Sequence, residues 1–216
     1  MNKFEIKKQK VSDRAGKVFY EKNAFYIDGK PLSDYLDEWC KENPSLLKKF
    51  SPTDDLAICW TDAYDSEGDA RFMRYVLSKD HAITPILSCP DDFDFSCIVI
   101  VADIVKQGDF VFWKRIGMVD HSKESFEEEI RSGILCVEAY SDEDWTLYGD
   151  NIALEEVKSP EWYQWINENW SEELFRRRVN YTFPYYQDDK NIIWIADCDF
   201  TFERIDYEKT VKDCVL

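Results

Sequence analysis

The sequence predicts an α+β fold, with a mixed, mostly antiparallel central sheet flanked by helices. Three observations predict it. Residues 95–105 read F-S-C-I-V-I-V-A-D-I-V, with Val, Ile and Phe on both alternation phases, the pattern of a strand buried on both faces. Gln107-Gly108-Asp109 supplies turn chemistry, and Phe110–Val119 is a second aromatic and β-branched run. Two such runs around a short glycine-containing loop form an antiparallel hairpin at the centre of a sheet. Apolar residues at helical spacing recur between the strand-like runs, so helices and strands are intermixed along the chain.

Residues 1–16 are basic and low in apolar content, and read as a mobile arm or a loosely attached first strand. Residues 17–216 read as a single domain in which 160–180 form a helical C-terminal subdomain. Lys17–Tyr20 and Ala24–Ile27 flank Glu21-Lys22-Asn23 as a small hairpin, and Asp28-Gly29-Lys30-Pro31 is a turn. Ser33 is placed as an N-cap for a helix whose face carries Leu32, Tyr35, Leu36, Trp39 and Cys40, with Asn43-Pro44 as its stop. Leu56–Trp60 is a short strand, Thr61–Gly68 an acidic loop and Asp69–Lys79 an amphipathic helix. Ile83–Ser88 is a strand leading into an acidic turn at Asp91, Asp92 and Asp94. After the central hairpin come a helix over Ser122–Arg131 and a strand over Ile134–Ala139. Pro160 starts a helix carrying Trp162, Trp165 and Ile166, and Ser171 caps another that runs to about Val179. Asn191–Ala196 and Phe200–Ile205 form a closing pair of strands.

Aromatic residues make up 16% of the chain, enough to pack a core and to exclude global disorder. The net charge is −17, and because residues 1–17 carry +4, residues 18–216 carry −21. A body this acidic repels phosphate backbones, which argues against direct nucleic-acid binding and for fast association with a basic partner. Seven cysteines, an odd number with no C-x-x-C pair, sit largely in apolar runs and indicate a reducing, cytoplasmic setting. The N-terminus has no apolar core of a secretory signal, and the longest apolar run, Cys97–Ala102, is far short of a membrane span.

Two segments carry many acids and no base: 54–69, with six, and 138–156, with seven. Trp60, Tyr64, Trp145 and Tyr148 are interleaved among them. Carboxylates beside aromatic rings grip Arg and Lys side chains by ion pairing and stacking. The candidate partner-binding residues are therefore Trp60, Asp62, Tyr64, Asp65, Glu67 and Asp69, with Asp142, Glu143, Asp144 and Trp145. The competing reading is a solvated acidic face with its aromatics turned inward. Asp91, Asp92 and Asp94 supply too few ligands for a metal site, and either cap a turn or pair with Arg115 across the hairpin. Lys114-Arg115 and Arg176-Arg177-Arg178 most simply neutralise neighbouring carboxylates, a phosphate site being the sharper alternative. His81, His121 and Cys89 are the residues for a thiol–histidine pair, but no family signature surrounds them. No P-loop, G-x-G-x-x-G, G-x-S-x-G or H-E-x-x-H occurs, so the expectation is no enzyme, no cofactor and no metal.

Three stretches, Tyr26-Ile27-Asp28-Gly29-Lys30-Pro31-Leu32, Cys89-Pro90-Asp91-Asp92-Phe93-Asp94-Phe95 and Trp113-Lys114-Arg115-Ile116-Gly117, within a small acidic chain, resemble bacterial immunity proteins of polymorphic-toxin and contact-dependent growth-inhibition systems. The resemblance implies a cytoplasmic protein that binds and neutralises a cognate toxin domain, a basic nuclease in many such systems, and it implies no catalytic residue. The alternatives are a structural or scaffolding domain without a toxin partner, and a hydrolase with a non-obvious site.

Overall fold

A computed structural model describes residues 1–12, 19–41, 43–50, 53–60, 67–90, 95, 97–123, 168, 171, 174–175 and 177–214.

 The elements below are numbered within those residues, and every strand pairing among them is antiparallel. The chain is α+β, with a three-stranded sheet, order β1-β2-β3, and a five-stranded sheet, order β4-β5-β6-β7-β8.

The small sheet comprises β1 (Phe4–Ser12), β2 (Phe19–Ile27) and β3 (Lys30–Pro31). The basic N-terminal segment is thus a full strand. Residues 21–23 are not a turn, because β1 pairs with β2 throughout, from Phe4↔Ile27 to Ser12↔Phe19. Phe25 and Ile27, two residues apart on β2, both point into the core. Asp28 and Gly29 make the β2–β3 turn with positive φ of 53° and 80°. The Asp28 carboxylate accepts from Asn2 Nδ2 and the Lys3 amide, both at 2.7 Å, which holds its pKa below the usual range.

Helix α1 (Leu32–Trp39) begins one residue before the expected cap. Pro31, at φ −61°, pre-sets the entry, and Ser33 lies inside the first turn, making no cap bond. Asn43-Pro44 ends one helix and also starts the next, α2 (Pro44–Phe50), where the Asn43 side chain accepts from the Leu46 amide at 3.2 Å. A 3₁₀ turn (Thr53–Asp55) leads to β4 (Ala57–Ile58), and α3 (Glu67–Leu77) precedes β5 (His81–Ser88).

The expected central hairpin is present as β6 (Val99–Gln107) and β7 (Phe110–Val119), with β6 in the middle of the five strands. Residues 99–104 are buried without interruption, as a strand covered on both faces must be. The two expected closing strands are one continuous strand, β8 (Ile192–Glu203). Asp197–Asp199 form a bulge in it, and Asp199 adopts φ 49°. Glu203 then leads into α5 (Arg204–Lys212), so that Arg204 and Ile205, expected at the end of a strand, open a helix instead.

One core joins the two sheets. Phe4 and Phe25 of the small sheet pack with Trp60, Trp113, Phe202 and Tyr207, the ring centroids of Phe25 and Trp60 lying 4.7 Å apart. The polar ends of these rings are bonded inside the core: Trp60 Nε1 donates to the Pro85 carbonyl at 2.7 Å, and Trp113 Nε1 to the Tyr207 hydroxyl at 3.1 Å.

The helical segment that includes Leu174 and Phe175 continues to a π-helical turn (Arg178–Thr182) and α4 (Phe183–Gln187). Pro184 has no amide hydrogen to donate, and the Phe183 amide reaches Arg178 O, five residues back, which widens the turn. β4 pairs with β5 only at Leu87 and Ser88. Lower on the same strand, the Gln187 side chain accepts from the Ile83 amide at 2.8 Å and donates to the Ile83 carbonyl at 2.9 Å.

Gly117 of β7 is paired with Trp194 of β8 and leaves no room for a side chain. A Cβ there would lie 2.6 Å from Ile192 Cγ2, 2.9 Å from Trp194 Cε3 and 3.0 Å from the Ile193 carbonyl. Gly117→Ala is expected to destabilise the fold by about 1–3 kcal/mol, measured by urea denaturation, because the carbonyl belongs to the sheet and cannot turn aside.

Candidate functional site

The described residues redraw the acidic surface expected from the sequence. Trp60 is 2% exposed and belongs to the aromatic core, so it is removed from the candidate partner-binding set. Asp69 is also 2% exposed, and is removed for the same reason. Its carboxylate accepts from Arg178 Nε at 2.8 Å, and both side chains are buried. The arginine run therefore contributes an internal counter-charge, with the Arg178 guanidinium 5.0 Å from the Phe95 ring. Glu67 is exposed in the first turn of α3. Asp62, Tyr64, Asp65, Asp142, Glu143, Asp144 and Trp145 lie outside the described residues, as do Asp91, Asp92, Asp94 and Arg176.

Segment 54–69 carries no base of its own, but the fold brings bases to it. The Tyr20 hydroxyl donates to Asp55, and Lys22 donates to the Leu56 carbonyl. Burial pushes the Lys22 ammonium down to about 8, against the pull of Asp55 and Asp54. The placement of Tyr20 and Lys22 on one continuous strand, β2, is the missing signal, because Glu21-Lys22-Asn23 reads as a turn.

A second charged array was not foreseen. Along β6 and β7 the register passes from Ile104↔Trp113 to Asp103↔Arg115, leaving Lys114 as an extra residue. The bulge sends Trp113 and Arg115 to opposite faces of the sheet, one into the aromatic core and the other away from it. Arg115 donates to Asp103 Oδ2 from Nε at 3.2 Å and from Nη2 at 3.0 Å, and Nη2 also reaches Asp189 Oδ1 at 2.7 Å. Its guanidinium lies 3.8 Å from the Trp194 ring, and His81 Nε2 lies 2.9 Å from the other Asp103 oxygen. Burial pulls the Arg115 pKa down, but the bonds to Asp189 and Asp103 outweigh it and hold it above the ordinary value.

Opposite Lys114, β8 carries the extra pair Cys198 and Asp199. Cys198 Sγ donates to the Trp113 carbonyl at 3.1 Å, and burial pushes its thiol up to about 12, so it remains a neutral donor. The bulges open a groove of about 600 Å³ whose lining includes Phe112, Lys114, Arg115, Asp197 and Asp199. Rings and charges of both signs suit it to hydrogen bonding with polar side chains. Arg115 thus pairs with Asp103 and Asp189, while the expected pairing with Asp91, Asp92 or Asp94 falls on acids outside the described residues.

Cys89 is 4% exposed, and His81 is engaged by Asp103. Cys40, Cys59, Cys89, Cys97, Cys198 and Cys214 form no disulfide with one another, while Cys136 lies outside the described residues. Among the described residues, no cluster of three or more His, Cys, Asp or Glu is arranged to hold a metal, and no helix is long and apolar enough to cross a membrane. No family model matches the chain, and neither the curated proteins nor the solved structures contain a match to it.

Proposed function

We propose that the chain is an immunity protein that binds and neutralises a basic toxin domain through an acidic surface. The supporting observation is the charge itself. The net charge is −17, and among the described residues the buried acids are Asp55, Asp69 and Asp103. A net charge of this sign raises the association rate with a partner of opposite sign.

The test is co-expression with the toxin domain encoded beside the gene of this chain. Growth of a sensitive host is expected to be restored, and the purified pair is expected to associate more slowly as salt shortens the screening length below about 8 Å. Undiminished killing, with no complex at micromolar concentrations, would refute the proposal.

A further inference from the structure

We infer that the corner formed by the start of α5 and the tip of the β6–β7 hairpin is the docking surface for a basic protein segment. The inference rests on the immunity reading and adds the place of contact. Ile205 is 82% exposed and Phe110 is 41% exposed. These two large apolar side chains flank one backbone hydrogen bond, from the Arg204 amide to the Asp109 carbonyl at 2.8 Å, and Phe110 stands opposite Glu203 in the β7–β8 ladder. A scattered exposed apolar residue needs no explanation, but two brought together from hairpin and helix make a local apolar surface.

The rim is acidic. Asp109, Glu203 and Asp206 are exposed around the apolar pair. Arg204, at the start of the helix, is already held by Glu208 at 2.7 Å and by Asp80 at 3.4 Å. On the side of α5 facing β1, a cleft of about 530 Å³ is lined by Glu203, Asp206, Lys209 and Asp213 of that side and by Met1, Lys3 and Glu5 on the other. Glu5, on the opposite wall, is engaged by Lys3 at 2.9 Å and by Lys7 at 2.8 Å. The remaining carboxylates favour an Arg or Lys of the partner in the cleft, while an apolar neighbour of that residue covers Ile205 and Phe110. Apolar contact at the centre and charge at the rim is the usual division of labour at an interface.

The experiment titrates the toxin domain encoded beside the gene, rendered inactive, against the wild type, Ile205→Ser, Phe110→Ser and an Asp34→Asn control on α1. The melting temperature of each variant establishes its fold. Folded Ile205→Ser is expected to bind at least tenfold more weakly, mainly through faster dissociation, and Asp34→Asn to bind as the wild type does. Wild-type binding with both serine variants folded and within twofold of it would overturn the docking corner while leaving the immunity reading standing. No binding by the wild type would remove both. If Phe110→Ser fails to fold, Ile205→Ser decides the matter alone.

Discussion

Asp69→Ala is expected to destabilise the protein by about 3–5 kcal/mol, because it removes a buried carboxylate that accepts from the buried Arg178 guanidinium. For a chain of this length that corresponds to a fall in melting temperature of roughly 6–20 °C, read by calorimetry or circular dichroism. The size of the effect comes from the charge left behind more than from the attraction lost. The double variant Asp69→Leu with Arg178→Met should therefore recover a large part of the loss, since apolar side chains can replace a buried pair at little net cost. A double variant as unstable as Asp69→Ala would show that packing around the pair, not the uncompensated charge, dominates. The pair joins α3 to the π-helical turn, and so locks the helical segment before β8 onto an element more than a hundred residues earlier in the chain.

Val99→Asp should have an effect of similar size, on the order of 4 kcal/mol, for the opposite reason. Val99 is fully buried at the start of β6, paired with Ser88 on one side strand. A carboxylate there would have to give up its hydration to enter the core. The variant should melt far below the wild type at neutral pH and recover in part as the pH falls and the carboxyl is protonated. An unchanged melting temperature would mean that the strand does not lie at the centre of the sheet.

The elements legible in the sequence were those whose burial pattern is local. The run at 99–105 announces a doubly covered strand through its own composition, and the apolar spacing at Ala70, Met73, Val76 and Leu77 announces α3 in the same way. What was misread depended on partners far away in sequence. Residues 21–23 look like a turn until β1 is available to pair with them. Asp197-Cys198-Asp199 looks like a turn until β7 continues past it with its own bulge at Lys114. For the candidate surface, Trp60 and Asp69 carry the right chemistry for gripping a basic partner, but that same chemistry serves inside a core when Pro85 and Arg178 supply the matching groups. Ile205 and Phe110 become noticeable only when the hairpin tip and α5 are brought together, since neither is unusual in its own stretch of sequence.

Gln187 has a consequence for how the protein behaves in concentrated solution. Its amide occupies both hydrogen-bonding groups of Ile83, on the stretch of β5 that β4 does not reach. In effect a single side chain stands in for one residue of a neighbouring strand. A second molecule approaching that edge finds its first anchoring point already taken, so strand-by-strand growth from one copy to the next is interrupted there. The same two bonds place the protection under the control of α4: if that helix lifts away, the edge is uncovered, and the propensity to self-associate rises with it.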